Sequence, residues 1–217
     1  MMVSFMPYLL SRQTWLRNGL VWLLSLGLWL TVLPAQAQQV PTLSGARFEL
    51  ASDAVRLSGM LNVRLSNAVQ DTLDKGVPVF FVFETIATQD RWYWSDKRIL
   101  TNRRYARIVY LPLLRKWRLN FSNDRFEAGV SKGVLMNQNY DSLNDAMMAM
   151  QRITNWKVLD RSDWDSDSDY NIEVRFRLDT SQLQRTLQYG TTGSSDWNLS
   201  MSRNLRLNAS NLGKVLN

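Results

Sequence analysis

Apolar and polar residues alternate with a period of two along several stretches of this chain, and that period is typical of a half-buried β-strand. The clearest stretch runs from Ile172 to Leu178, where Arg175 and Arg177 alternate with a row of apolar residues. Weaker alternation covers residues 47–50, 55–65 and 196–207. Successive side chains of a strand point to opposite faces of the sheet, so each stretch predicts one apolar face and one polar face.

One run breaks this alternation because it is apolar at every position. Residues 79–83 read Val-Phe-Phe-Val-Phe. This predicts that a strand over 77–86 lies in the centre of a sheet and is covered on both faces. Further strands are predicted at 91–121 (two or three, with a turn at 111–116), 125–130 and 156–159.

Two segments have the period of a helix, and each begins at a serine. Ser66 is a good N-cap, and Gly76 ends that segment. Ser142 caps the second segment, with Asp145 three residues later. The apolar stripe of the second segment comprises Leu143, Ala146, Met147, Met150 and Ile153. Because strands and helices do not alternate, the sequence predicts a mainly β or α+β fold: an antiparallel sheet or β-sandwich with two short covering helices.

The first 37 residues have the layout of a secretory signal peptide. Arg12 and Arg17 precede an apolar run, and Ala35-Gln36-Ala37 fits a small-x-small cleavage site. The run is shorter than the roughly 20 residues that span a bilayer. We therefore expect cleavage after Ala37 rather than retention as an anchor. The remaining organisation is predicted as a linker at 38–45, one β-rich domain at 46–207 without a transmembrane segment, and a flexible tail at 208–217, all in the periplasm.

The composition excludes several kinds of catalytic site. The chain contains no cysteine and no histidine. Without histidine there is no Ser-His-Asp triad and no histidine-based zinc site, and without cysteine there is no thiol nucleophile, no cysteine-rich metal site and no disulfide. A glycine-rich phosphate-binding loop is also missing. We therefore expect no catalytic residues, no cofactor and no metal.

A carboxylate-dependent glycan hydrolase is the alternative that remains. Such an enzyme needs two carboxyl groups at a defined separation. The glutamates of the chain are Glu49, Glu84, Glu127 and Glu173; all four lie within predicted strands, and three of them are polar partners of apolar residues there. Two carboxyl groups facing each other in a cleft would favour the hydrolase, whereas an exposed basic and aromatic sheet face would favour a binding protein.

The segment Lys97–Arg118 concentrates positive charge without any Asp or Glu. Its candidate partner-binding residues are Lys97, Arg98, Arg103, Tyr105, Arg107, Arg115, Lys116 and Arg118. Strand alternation places Arg103 and Arg107 beside Tyr105 on a side predicted to be exposed, and Arg104 on the core side. Such a pattern resembles a nucleic-acid-binding face. Because an exported protein rarely meets nucleic acid, we expect an anionic envelope polymer, a lipid headgroup or an acidic protein surface instead. The plain alternative is a solvated face whose arginines lie over neighbouring side chains.

An acidic loop at 160–169 carries the opposite charge. Its Asp-x-Asp-x-Asp pattern begins like an EF-hand, but Tyr170 stands in place of the required glycine and Phe176 in place of the glutamate. We therefore expect a solvated hairpin loop rather than a calcium site. The loop could also fold back and neutralise the basic segment internally. The aromatic group Arg91-Trp92-Tyr93-Trp94 predicts core or sheet cover.

Four short motifs occur in a fixed order along the chain. They are Gly76-Val77-Pro78-Val79-Phe80-Phe81-Val82, Arg91-Trp92-Tyr93-Trp94-Ser95-Asp96, Leu178-Asp179-Thr180-Ser181-Gln182-Leu183 and Asp196-Trp197-Asn198-Leu199. This set resembles the exported proteobacterial family called domain of unknown function 4390, over about residues 46–207. The resemblance implies an envelope protein without known activity, often encoded beside a nitrogen-regulation-type histidine kinase. Together these observations predict a periplasmic, non-enzymatic binding or accessory domain. Its basic face would contact an anionic envelope polymer or lipid, or an acidic region of a membrane sensor kinase.

Overall fold

The computed structural model describes residues 40–89, 97–126, 134–183 and 195–216, which form ten strands and two α-helices. In chain order the elements are β1 (Thr42–Leu50), β2 (Ala54–Asn62), α1 (Asn67–Asp74), β3 (Val79–Gln89), β4 (Lys97–Leu111), β5 (Lys116–Ser122), β6 (Val134–Tyr140), α2 (Leu143–Gln151), β7 (Arg152–Asp160), β8 (Tyr170–Leu178), β9 (Ser200–Leu207) and β10 (Val215–Leu216). Neither described α-helix is long and apolar enough to cross a membrane.

The strands form two antiparallel sheets that pack face to face. The four-stranded sheet has the order β10-β1-β2-β7, and the six-stranded sheet has the order β6-β5-β4-β3-β8-β9. Their inner faces share one hydrophobic core, in which Phe83 of one sheet meets the edge of Trp156 of the other at a ring-centroid distance of 6.3 Å. The predicted β-sandwich with two helices is therefore confirmed.

Strand β3 lies in the centre of the six-stranded sheet, as its uninterrupted apolar run predicts. Phe81 and Phe83 point into the sandwich, where Phe81 stacks on Phe176 of β8 and Phe83 contacts the same ring in a T-shaped arrangement. Phe80 points to the opposite face and is covered by Phe126, with ring centroids 5.9 Å apart. Both faces of β3 are buried because the chain after β5 folds over the outer face of the sheet.

Both helices begin where the sequence predicts. The Ser66 hydroxyl accepts a hydrogen bond from the backbone N–H of Val69, and that of Ser142 accepts one from Asp145. The chain leaves α1 through Gly76, whose φ of +77° is a conformation that favours glycine. The placement of Ile153 on the second helix is wrong, because α2 ends at Gln151 and Ile153 is a buried residue of β7. A buried apolar residue suits a helix and a strand equally, so periodicity does not separate the two.

Several boundaries differ from the sequence predictions. Strand β1 begins at Thr42, inside the predicted linker, and the chain passes a bulge near Gly45 before regular pairing resumes at Arg47. Strand β10 lies in the predicted tail and pairs with β1. Residues 125 and 126 are not in a strand, and the rest of the strand predicted at 125–130 lies outside the described residues. The first residues of β1 and the short strand β10 are held by backbone pairing with β2 and β1, which requires no alternating pattern.

Candidate anion-binding groove

The outer face of the six-stranded sheet, which is turned away from the core, carries a polar groove across β3, β4 and β8. Two adjoining depressions of about 560 and 580 Å³ form it, and they share Glu84 and Arg103. The arginines that line it are Arg98, Arg103, Arg125, Arg175 and Arg177. We call this feature the arginine groove.

Glu84 lies at the centre of the arginine groove because of the strand register. It is directly opposite Arg103 on β4 and Arg175 on β8. Nε of Arg103 is 2.5 Å from one carboxylate oxygen of Glu84, and Nη1 of Arg175 is 3.5 Å from the other. The Glu84 side chain is 15% exposed, against 57% for Arg103 and 47% for Arg175. The carboxylate therefore lies beneath guanidinium groups that remain open to solvent.

Glu173 on β8 forms a second paired carboxylate beside the groove. Arg175 donates two hydrogen bonds to it, at 2.7 and 2.8 Å, and the Ser202 hydroxyl donates a third at 2.7 Å. These hydrogen bonds, that from Arg175 first, lower the pKa of Glu173 despite its partial burial. Glu173 is thus held as a carboxylate.

Asp179 closes the other end of the groove, immediately after β8, and is almost completely buried. It accepts hydrogen bonds from the backbone N–H and hydroxyl of Ser181 and from the amide of Gln182. Arg125 and Arg177 each place a nitrogen within 3.5 Å of it. Burial acts to raise the pKa of Asp179, but the hydrogen bonds and the two arginines together lower it.

The groove therefore presents more positive than negative charge to solvent. The partly buried Glu84 and the buried Asp179 are each bound by two arginines whose side chains are about half exposed. Arg98 lines the groove without a hydrogen bond or ion pair to any residue that the structure describes. Guanidinium groups bind carboxylate and phosphate through paired N–H donors. The arrangement is suited to holding an anionic group.

The structure divides the basic segment predicted from the sequence. Arg98, Arg103 and Tyr105 line the arginine groove. The prediction that Arg107 is exposed is wrong: its guanidinium lies 5.1 Å from the ring centroid of Phe126 and donates to Asn120, so it is half-buried. Nothing in the local pattern of β4 indicates that Phe126 covers this position.

The other candidate residues lie away from the groove. Lys97 is exposed at the start of β4. Arg115 is in the turn between β4 and β5, which is the turn predicted at 111–116. Lys116 pairs with Asp141, and Arg118 donates a hydrogen bond to Asn139. These four residues are positively charged, but they do not line the groove.

Sequence reasoning missed half of the groove. The sequence pattern singles out neither Arg125 nor Asp179 as a site residue, and it marks Glu84, Arg175 and Arg177 only as polar partners in strands. The alternation in β8 does place Arg175 and Arg177 on one face. That alternation alone does not show that β8 lies beside β3, which is what brings these arginines to Arg103.

The acidic loop is not a hairpin, and among the described residues its ion pairs are with Lys157 and Arg206 rather than with the basic segment Lys97–Arg118. It connects β7 of one sheet to β8 of the other. Within the described part of the chain, Asp160 pairs with Lys157 and Asp169 with Arg206, while Asp165 accepts hydrogen bonds from Asp167 and Ser168. No group of three or more acidic residues among those described could hold a metal ion. The aromatic group at 91–94 lies outside the described residues.

Comparison with curated proteins and with solved structures finds no match. A family model matches residues 38–206, which is most of the chain and all of the arginine groove. The match includes each of the four ordered motifs of the sequence. The chain therefore belongs to the family described as Domain of unknown function (DUF4390).

Proposed function

We propose that this protein is an exported, non-enzymatic binding module that holds an anionic group in the arginine groove. The observation that carries the proposal is the layering of charge: Glu84 and Asp179 lie low in the groove, and arginines stand above them with their outer sides open to solvent. The buried acids orient the guanidinium groups, and the surplus positive charge is available to a ligand.

The same geometry favours binding over glycan hydrolysis. A glycosidase needs a carboxyl group that stays protonated to act as general acid, which requires a raised pKa. Glu173 and Asp179 instead have lowered pKa values, because arginines and hydrogen-bond donors surround them. An arginine placed on each of these carboxylates also occupies the position that a substrate oxygen would need.

The anionic group is a phosphate or carboxylate, and two sources in the cell envelope offer it. One is the anionic headgroup of a lipid or an envelope polymer, and the other is an acidic segment of a membrane protein such as a sensor kinase. Both present oxygens that arginine forks recognise. Vesicles and acidic peptides, tested separately, distinguish the two sources.

The decisive variant removes two groove arginines while sparing the buried acids. In the double variant Arg103→Gln and Arg177→Gln, Glu84 keeps Arg175 and Asp179 keeps Arg125. A matched control, Arg47→Gln with Arg161→Gln, removes the same charge from exposed positions outside the groove. Binding to phosphatidylglycerol vesicles, to neutral vesicles and to a polyglutamate peptide is measured by sedimentation or titration, at low salt and at about 0.15 M salt, where the screening length is about 8 Å.

We expect the wild-type protein and the control to bind one of the two anionic probes, with affinity that falls as salt increases. The groove variant should bind that probe at least about tenfold more weakly, which corresponds to about 1.4 kcal/mol of binding free energy. Equal loss in the groove variant and in the control would show that net charge alone matters. No binding of either probe by the wild-type protein would reject the proposal.

Export is tested independently of binding. Because Ala35-Gln36-Ala37 fits a cleavage site, the protein recovered from the periplasmic fraction should begin at Gln38. N-terminal sequencing or intact-mass measurement checks this, and substitution of Ala35 and Ala37 by bulky residues should leave the leader attached. A full-length chain recovered from the inner membrane of wild-type cells would indicate a retained anchor instead.

A further inference from the structure

A second cavity opens between the two sheets, where α2 covers the inner faces of β5 and β6. Its volume is about 750 Å³, within the range of about 300–1,000 Å³ that small-molecule pockets occupy. Phe121, Met136, Met148 and Ala149 give it a largely apolar wall. We call this cavity the inter-sheet cleft. It lies on the opposite face of the six-stranded sheet from the arginine groove.

One cation, Arg104 of β4, faces into this apolar wall. Its guanidinium carbon lies 5.7 Å from the ring centroid of Phe121 and 5.6 Å from that of Trp156. Its Nε atom is buried and has no hydrogen-bond partner, and no carboxylate among the described residues pairs with it. Burial lowers the pKa of Arg104, since its charge is removed from water without an opposite charge nearby.

An unpaired charge at this position is unfavourable for the protein alone. The two aromatic rings offset part of the desolvation cost through cation–π contacts, but they leave the buried Nε–H donor without a hydrogen-bond acceptor. The other charged residues of the cleft, Asp145 and Arg152, are both exposed and opposite in sign, and Asp145 accepts a hydrogen bond from Ser142. A ligand carboxylate in the cleft would supply the opposite charge that no described residue places on Arg104.

We infer that the inter-sheet cleft binds a small amphipathic carboxylate of the fatty-acid class. The carboxylate would pair with the planar fork of Arg104, and the alkyl chain would lie against Phe121, Met136 and Met148. Methionine side chains are flexible and polarisable, so they fit apolar chains of variable shape. This inference does not depend on the arginine groove, because the two sites share no residue.

Dodecanoate and dodecanol are the matched probes, because they share an alkyl chain and differ in the charged headgroup. Isothermal titration of the purified chain below the micelle-forming concentration measures both. The variant Arg104→Met keeps an unbranched side chain of similar length and removes the charge, and Arg104→Lys keeps the charge without the fork. Ala149→Phe fills the cleft and leaves Arg104 in place.

We expect the wild-type protein to bind dodecanoate at least tenfold more tightly than dodecanol. Arg104→Met should weaken dodecanoate binding at least tenfold and leave dodecanol unchanged, and Arg104→Lys should restore part of the loss. The groove variant with Arg103→Gln and Arg177→Gln should bind dodecanoate like the wild-type protein, so failure at one site is separable from failure at the other.

Two results would overturn the inference: no detectable dodecanoate binding by the wild-type protein, or binding by folded Arg104→Met within twofold of wild type. Circular dichroism establishes whether each variant is folded. Should Arg104→Met not fold, Ala149→Phe decides the matter. Weakened binding by that variant supports the cleft, and unchanged binding rejects it.

Discussion

Replacing Phe83 by alanine tests the central position of β3 and the face-to-face packing of the two sheets together. Phe83 is 3% exposed and contacts three aromatic rings, those of Phe121, Trp156 and Phe176, at centroid distances of 6.4, 6.3 and 5.0 Å. Truncating a buried phenylalanine to alanine costs about 3–5 kcal/mol. Ring contacts contribute about 0.5–1.5 kcal/mol each beyond area burial, so we place Phe83→Ala at the upper end, about 4–5 kcal/mol.

Two reference variants test whether the stability cost of Phe83→Ala comes from packing between the two sheets. Phe80 points to the outer face, and its one aromatic contact among the described residues is with Phe126, so Phe80→Ala should cost less, about 3 kcal/mol. Leu113 lies in the turn after β4 and is 100% exposed, so Leu113→Ala should change stability by less than about 0.5 kcal/mol.

Urea denaturation followed by circular dichroism measures the free energy of unfolding. With a slope of about 2 kcal/mol per molar urea, Phe83→Ala should lower the midpoint by about 2 M without changing the slope. Phe83→Leu, at about 1–2 kcal/mol, provides a milder change if the alanine variant does not fold. A cost below about 1 kcal/mol for Phe83→Ala, or a cost no larger than that of Phe80→Ala, would refute the packing described for β3.

Three further substitutions test the end of the arginine groove at Asp179 and the N-terminal caps of the two helices. Because the pKa of Asp179 is lowered in the fold, its ionisation stabilises the protein above about pH 4, near its unfolded pKa, and that contribution is lost as the pH falls through the folded pKa. Asp179→Asn should therefore cost about 1–3 kcal/mol at neutral pH and should reduce the dependence of the urea midpoint on pH below 4; parallel pH curves for the two proteins would contradict this. The Ser66 hydroxyl caps α1 and also donates to the backbone carbonyl of Asp196 at 2.7 Å, so Ser66→Ala should cost roughly 2 kcal/mol. Ser142→Ala should cost about 1 kcal/mol, because the Ser142 hydroxyl caps α2 and its second hydrogen bond goes to the exposed carboxylate of Asp145 in the same turn. Equal midpoint shifts for the two serine variants would show that the contact of Ser66 with Asp196 contributes no more than the exposed hydrogen bond from Ser142 to Asp145.

The local pattern of apolar and polar residues determines which segments of this protein become strands and helices, so these segments are predictable from the sequence. The alternation at 172–178 and the apolar run at 79–83 reflect burial on one face and on both faces of a strand. Ser66 and Ser142 mark helix starts because a cap satisfies backbone N–H groups within its own first turn. A cap joins residues three positions apart, and strand alternation depends only on the face to which each successive side chain points, so both are readable from local sequence.

The arginine groove depends on contacts that local sequence does not contain. Arg103 and Arg175 meet Glu84 only because β4 and β8 pair with β3 in one particular register. A shift of one residue would move each of these side chains to the other face of the sheet. In the same way, Arg107 is half-buried because the chain after β5 folds back over the sheet and places Phe126 against its guanidinium group. The strand register and the covering of the outer sheet face are set by burial of the whole hydrophobic core. The clustered charge along β4 therefore predicts a basic surface, but only the tertiary structure decides which arginines form it.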